Sequence, residues 1–391
     1  MLKLGFEPKK IFTFSKNALL PLLVISVFLI YFFSVSEFSE SVYHSMHALF
    51  LIISAIAILV ALIGKIPSIV MSVSIIYISY LVINSMRYAY GEDYMFSAGY
   101  NIWSILLLPN LLLAYIMFPN HKPYKYWSMF YIFLFIQTAL IEKLQIQSID
   151  ADSSYFYHHI GMLNYPAVCI SVICLLILFI RQIIKGRVLC AAALFTSLAT
   201  FIGVLYSDNL FAFSLFSLSA VLIELVSALY YIHYILYKDE DLDVPNVRSF
   251  FKEADKKYPL KYSIALMYID EYERLLKRFG PTKALILKKM FLARIRKAKP
   301  NVLIYNYKAD ALILAFMNIN AAECFDYAEE IRRVLAKSIF VFNENNHLQL
   351  TVSQCVSEKK RSDADSAAVL ERAEDNLQKA CKFTRNITIK A

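Results

Sequence analysis

Eight stretches of predominantly apolar residues, each near the roughly 20 needed to cross a hydrocarbon core, follow one another before Lys238. They lie at about 18–36, 46–64, 66–86, 101–118, 126–141, 164–184, 188–206 and 210–237. Such a series constrains the fold more than any motif, because in hydrocarbon every backbone polar group must be satisfied inside its own segment. Residues 1–237 therefore read as a polytopic α-helical membrane domain of about eight spans. The first run follows Lys9, Lys10 and Lys16 but is too long for a signal-peptide core and lacks a small-residue cleavage site, so it reads as an uncleaved span.

The connecting segments give an orientation. With the N-terminus inside, Lys3, Lys9, Lys10, Lys16, Lys65, Lys122, Lys125, Arg181, Lys185, Arg187 and Lys238 all fall on the cytoplasmic side. The other side receives Glu37, Glu40, Glu92, Asp93, Asp150, Asp152 and Asp208, with only Arg87 and Lys143 as basic residues. This is the positive-inside asymmetry, and an even span count returns residues 238–391 to the cytoplasm.

Composition separates the halves further. The chain is 59% hydrophobic and 18% charged with a net charge of +9, of which about +2 lies before Lys238 and about +7 from it onward. Only 8 of the 391 residues are glycine, which leaves little material for a Gly-rich phosphate loop. The 6 cysteines form no CxxC pair, which argues against a zinc site or a disulfide scaffold. Cys169, Cys174 and Cys190 lie in spans, and Cys324, Cys355 and Cys381 in a reducing compartment, so none is expected to be bridged.

Few polar groups fall at membrane depth. Glu224 is the one acid there, with Asn84, Asn110 and Gln137 as further candidates. It points either to a proton or ligand site or, the plainer reading, to a neutral carboxyl bonded to a neighbouring helix. His44 with His47, and the pair His158 and His159, lack a third ligand and read as interfacial histidines.

From Lys238 the apolar period alternates between two and about 3.6. Strands are expected at 262–270, 302–307, 311–317, 348–356 and 386–389, and helices at 283–299, 321–337 and 364–382. The turn between the second and third strands is Lys308, Ala309 and Asp310. This pattern predicts an α/β domain with a central sheet flanked by helices.

These residues carry a resemblance. Residues 241–251 (D-L-D-V-P-N-V-R-S-F-F) resemble the D-x-L-T-G-L-P-N-R-R-x-F opening of GGDEF domains, the diguanylate cyclase family. Tyr268, Ile269 and Asp270 are similar to that family's D-I-D, and residues 307–316 to its Y-G-G-D-E-F hairpin. Residues 350–356 resemble its T-V-S-x-G-V strand, and 370–386 its closing L-x-x-A-D-x-A-L-Y-x-A-K-x-x-G-R-N. Gly280 matches a glycine after the family's first helix and is expected to cap it. The resemblance does not reach the eight spans.

The departures bear on function. In the family, the first acid of D-I-D and a hairpin acid hold two divalent ions, and two-metal chemistry needs carboxylates converging on both. Tyr268 stands at the first position, and the hairpin offers only Asp310, followed by Ala311. Lys308 and Ala309 replace the glycines over which phosphate would approach. The guanine-reading positions fall on Leu276 and Lys277, and the phosphate-binding lysine on Cys381, so that only Arg385 matches. The family's R-x-x-D inhibition site falls on Lys299 and Val302.

The resemblance with these departures implies a catalytically inactive domain needing no cofactor, in a protein of a bacterial inner membrane. Three uses are open. A receptor or scaffold would relay a state through the last span to an unknown cytoplasmic protein partner. A transporter or envelope-assembly subunit would be regulated by the domain and would work through Glu224. A nucleotide receptor without turnover would use the basic helix bearing Lys288, Lys289, Arg294, Arg296 and Lys297, whose plainer reading is a solvated face. The first is preferred. The resemblance also suggests a homodimer, and the interleaved charges and lack of a groove-entering motif argue against nucleic acid as a partner.

Overall fold

The computed structural model describes residues 8–34, 40–91, 98–117, 125–145, 159–160, 162–256, 258, 261–343 and 346–391. The chain divides into two compact units, Met1–Ile232 and His233–Ala391.

Within the first unit, the described residues form α1 (Pro8–Ser34), α2 (Glu40–Ile63), α3 (Pro67–Tyr90), α4 (Ala98–Met117) and α5 (Lys125–Gln145). A short antiparallel pair, β1 (His159–Ile160) and β2 (Leu163–Asn164), leads into α6 (Tyr165–Lys185), α7 (Val188–Leu205) and α8 (Leu210–Tyr237). Pro67 opens α3 at a position where its missing N–H costs nothing. Asn164 caps α6 by accepting from Ala167 N at 2.8 Å, and Gly186 ends it in the left-handed region at φ 59° and ψ 22°.

Eight helices stand where eight spans were expected, and seven are long and apolar enough to cross a membrane by length and composition. The exception is α5, whose described apolar stretch is Ser128–Leu140. Its helix also takes in Lys125, Glu142 and Lys143, so the apolar run is shorter than the helix. Helices α3, α4, α7 and α8 are the most buried of the seven, and α1, α2 and α6 the least. Small residues let α7 sit close: Ala191, Ala192, Ala193 and Ala199 are buried, and a Cβ on Gly203 would lie 3.1 Å from that of Phe216.

The second unit takes in the last turn of α8. Strands β3 (Lys238–Asp239) and β4 (Val244–Pro245) pair antiparallel and precede α9 (Val247–Lys256). There follow β5 (Tyr262–Ile269), α10 (Tyr272–Ala298), β6 (Leu303–Lys308), β7 (Ala311–Met317) and α11 (Ala321–Ala336). The hairpin β8 (Ile339–Asn343) and β9 (Asn346–Gln349), then β10 (Val352–Glu358), α12 (Ser366–Cys381) and β11 (Thr388–Lys390) complete it. The central sheet has the order β11-β10-β5-β7-β6, antiparallel except for β10 and β11.

Alternation along β5 explains the layers. Ala265, Met267 and Ile269 enter one core with Leu287 and Phe291 of α10 and Ile331 of α11. Tyr262, Ile264 and Leu266 enter the other with Phe250 of α9 and Leu370 and Leu377 of α12. A strand covered on both faces reads as a continuous apolar run, which is why this one was legible.

Three expectations change. The helix expected at 283–299 is the second part of α10, which also has a first part from Tyr272 and is broken at Gly280, where φ 77° and ψ 169° lie outside the left-handed helical well in a region open to glycine alone. Gly280 thus ends the first part of α10, as expected of a cap, and Pro281 opens the second. The strand expected at 348–356 is two, because Leu350 and Thr351 separate β9 from β10. The strand β8 was not expected at all. Its four consecutive apolar residues, 339–342, carry neither period.

Candidate functional site around the β6–β7 turn

The end of β5, the β6–β7 hairpin and α12 bring together most of the residues singled out in the second unit. Tyr268 pairs with Ala311 across β5 and β7 and with Ser353 across β5 and β10, so its side chain rises on the α12 side. There its hydroxyl donates to Glu374 Oε1 at 2.8 Å, and Tyr307 donates to Oε2 at 2.6 Å. Lys308 forms an ion pair with the same carboxylate and lies 3.4 Å from the Tyr268 hydroxyl. Burial raises the Glu374 carboxyl, but the hydrogen bonds from Lys308, Tyr307 and Tyr268 outweigh it and hold the group below its usual range. Burial likewise opposes the charge on Lys308, and Glu374 with the tyrosines keeps it above its ordinary value. One carboxylate therefore saturates three donors at the place where Tyr268 stands.

Glu374 was not among the residues picked from the sequence. Its signal was the acid of the L-E-R-A-E stretch at 370–374, flanked by the buried Ala373 and Leu377.

Asp270 is 8% exposed and serves as a junction of three segments. Its Oδ1 accepts from Ser353 Oγ at 2.7 Å, and its Oδ2 from Thr351 Oγ1 at 2.6 Å and Asn386 N at 3.0 Å. The Asp270 amide donates to Thr351 O at 3.0 Å. Both carboxylate oxygens are thus engaged in holding β10 and the approach to β11.

The turn itself is clamped from inside. Lys288 is 2% exposed. Its Nζ donates to Asn306 Oδ1 and Lys308 O, both at 2.6 Å, to Ala309 O at 2.9 Å and to Ala311 O at 3.4 Å. Burial lowers the ammonium to about 8, opposed by the charges of Asp239 and Asp310. Asn306 passes the connection on, donating to Asp239 Oδ2 at 2.7 Å, while Asp239 Oδ1 accepts from Leu242 N at 2.8 Å. Lys288 therefore leaves the expected basic face of α10, where Lys289, Arg294, Arg296 and Lys297 stay exposed.

Two clefts open beside the turn. The larger, about 560 Å³, is lined by Ile269, Glu271, Tyr272, Glu273, Arg274, Asp310 and Arg385. The smaller, about 180 Å³, takes in Tyr268, Asp270, Cys381 and Arg385. Arg385 donates to Glu271 at 2.8 Å, and Arg274 donates to the other Glu271 oxygen at 3.0 Å. The structure thus gathers Tyr268, Asp270, Asp310, Cys381 and Arg385, while Leu276 and Lys277 project from α10 and line neither cleft. Lys308 and Ala309 are exposed, and Ala311 is buried in β7. No group of three or more His, Cys, Asp or Glu able to hold a metal ion occurs among the described residues.

In the first unit, Glu224 is fully buried on α8, and its Oε1 accepts from Ser72 Oγ at 2.9 Å and from Tyr115 OH. The other polar candidates do not gather around it. Asn110 donates to Gln137 at 3.1 Å, and Asn84 to its own helix at Tyr80 O, 2.9 Å away. His47 bonds Tyr80 OH at 2.8 Å, whereas His158 lies outside the described residues.

The class this architecture defines is a mainly helical unit followed by an α/β unit with a five-stranded sheet. Its neighbours among solved structures are GGDEF domains of diguanylate cyclases, matched over about 40% of the chain. The coiled coil and GGDEF domain of DgcB from Caulobacter crescentus, in complex with c-di-GMP, is 19% identical with a TM-score of 0.38, covering 42% of this chain and 90% of that one. The FimX GGDEF domain from Pseudomonas aeruginosa is 14% identical with a TM-score of 0.36, covering 40% and 99%. The active GGEEF domain of a Vibrio cholerae diguanylate cyclase is 20% identical with a TM-score of 0.34, covering 37% and 96%. No protein-family model matches the sequence, and no curated protein matches it significantly.

Proposed function

We propose that the chain is a membrane-anchored signalling receptor or scaffold of a bacterial inner membrane. Its second unit is a GGDEF-like domain that does not turn over nucleotide and docks a cytoplasmic protein partner. The observation that carries this reading is the Glu374 cluster. Where two-metal chemistry calls for a carboxylate open to an ion, Tyr268 presents a hydroxyl already committed to Glu374, beside the Lys308 ammonium. The hairpin adds Asp310 alone. With the Glu374 carboxylate already taken by Lys308, Tyr268 and Tyr307, a cation finds no free anionic ligand there.

The relay part of the reading rests on the end of α8. Tyr237 O accepts from Asn246 N at 3.0 Å and from Ser249 Oγ at 2.5 Å, and Leu236 O accepts from Asn246 Nδ2 at 3.0 Å. Two residues beyond Tyr237, Asp239 joins the Asn306 and Lys288 chain to the hairpin turn. A rotation of that helix end, a common switching motion, is transmitted without slack to the turn. The alternation of basic and acidic loops supports a cytoplasmic N-terminus and a cytoplasmic second unit, with α5 as a span.

The test uses full-length protein in mild detergent. Incubation with GTP and Mg²⁺ or Mn²⁺ is expected to give no cyclic dinucleotide, and affinity capture to retain a partner that is lost when the surface of the second unit is altered. Formation of c-di-GMP overturns the reading.

A further inference from the structure

The positive charge of the second unit is concentrated on one helix. Tyr272–Ala298, the whole of α10, holds 9 basic residues and 1 acid, Glu273, whereas the remainder of residues 238–391 holds 19 basic and 20 acidic ones. Beyond Gly280 the helix turns Ala284, Leu287, Phe291 and Ile295 into the core, together with Lys288. Its exposed stripe is Ile286, Lys289, Ala293, Arg296 and Lys297, with Arg294 also exposed and no acid among them. Lys299, just past the helix end, is held by Glu330 at 2.6 Å, but Lys289, Arg294, Arg296 and Lys297 form no ion pair among the described residues. The exposed residues of α11 and α12 mix signs instead, with Glu323 and Arg333 on one and Glu371 and Lys379 on the other.

Cations gathered on one face repel one another, and an anionic surface laid against them relieves the repulsion. The stripe is a row rather than a pocket, about 25 Å long at the rise of an α-helix, so it suits an extended surface better than one small ligand. Ile286, 45% exposed, stands in line with the cations, and an apolar side chain among basic ones suits the boundary between headgroups and acyl chains. We propose that the exposed stripe of α10 docks on the anionic lipid headgroups of the cytoplasmic leaflet. The proposal rests on the reading of the first unit as a membrane domain with the second unit on its cytoplasmic side. Lys238 directly follows the last apolar helix, so on that reading the chain itself confines the second unit to the vicinity of a negatively charged surface, where basic segments are attracted. Membrane lipid charge then becomes an input to the domain.

The experiment places the full-length protein in nanodiscs of phosphatidylcholine alone or with roughly 30% phosphatidylglycerol. Acylation of individual lysines is then followed by mass spectrometry. In the anionic discs Lys289 and Lys297 are expected to react about threefold more slowly than in the neutral ones, while the exposed Lys360 and Lys379 keep their rates. The protection is expected to vanish in about 0.5 M NaCl, where exposed charges are screened. The double variant Lys289→Gln with Arg296→Gln, which touches only exposed side chains, is expected to lose most of the protection at Lys297. Equal rates for Lys289 and Lys297 in the two kinds of disc overturn the proposal and leave the membrane reading standing. Protection that spreads equally to Lys360 and Lys379, or that survives the double variant, also overturns it. A protein that enters discs of neither composition overturns the membrane reading and the docking with it.

Discussion

The ammonium of Lys288 lies 2.6 Å from the carbonyl oxygen of Lys308, so one lysine is buried beneath the backbone of another. The two play opposite parts at the same turn. Lys308 carries its charge outward to Glu374, while Lys288 holds the turn from within and links it, through Asn306, to Asp239. A turn stitched on both sides has little freedom to open around a ligand.

Lys288→Met keeps the apolar stem and removes the donors. Lys308 O, Ala309 O and Asn306 Oδ1 then lose their shared partner inside the core, at a cost of about 1–3 kcal/mol. Hydrogen exchange on the full chain is expected to quicken in peptides covering 306–311 and to stay unchanged in α1–α7. Lys288→Arg is not expected to rescue, because a planar fork does not fit a cage built for a point charge. Unchanged exchange at 306–311 would remove the clamp.

Tyr268→Asp restores the acid that the GGDEF resemblance calls for, yet it is not expected to yield c-di-GMP from GTP. The new carboxylate would share its place with Glu374, and like charges there raise one another's pKa and destabilise the cluster. Lys308, Ala309 and Ala311 would still occupy the hairpin. Thermal unfolding is expected to fall by a few degrees, equivalent to about 1–2 kcal/mol. Measurable cyclase activity in this single variant would show that Tyr268 alone separates the site from turnover.

How much of this was legible in the sequence follows from burial. Runs covered on both sides announce themselves, which is why the apolar helices and β5 and β7 were found. Leu350 prolongs the apolar alternation past the true end of β9, and no local signal marks the break at Thr351 that serves Asp270. The charge of Lys288 suggests a solvated face, but its position on α10 does not. Ala284, Leu287, Phe291 and Ile295 are all buried, and helical spacing puts residue 288 on their face. Glu374 escaped because its partners come from β5 and β6, about seventy to a hundred residues earlier in the chain, and no period records such a meeting.

Gly280→Ala tests the kink in α10. A Cβ there meets nothing within 4 Å, so crowding is not the issue. The backbone is, since φ 77° with ψ 169° is open to glycine and strained for any other residue. The expected cost is about 1–3 kcal/mol, read as a lower Tm and faster exchange in 272–285. An unchanged Tm would mean that α10 can straighten freely.

Acid should loosen the second unit through Glu329. Its carboxylate takes a two-pronged hydrogen bond from Arg332 at 2.6 and 2.8 Å, another from Arg333 at 2.9 Å, and one from Thr388 at 2.8 Å, tying α11 to β11. The Arg332 hydrogen bonds, against the opposing effect of burial, hold the group at about 2, below its ordinary 4.5. Between those values the unfolded chain binds a proton that the folded one does not, so stability falls as pH falls. The contribution is whole above the ordinary carboxylate value and is lost progressively toward pH 2, amounting to about 1–2 kcal/mol once solvent screening is allowed for. Denaturant unfolding of the full chain at a series of pH values should show this acid limb, and Glu329→Gln should lower stability at neutral pH while flattening the limb. A limb equally steep in the variant would place the acid sensitivity elsewhere, with Asp363 and its Arg372 partner as the next pair to alter.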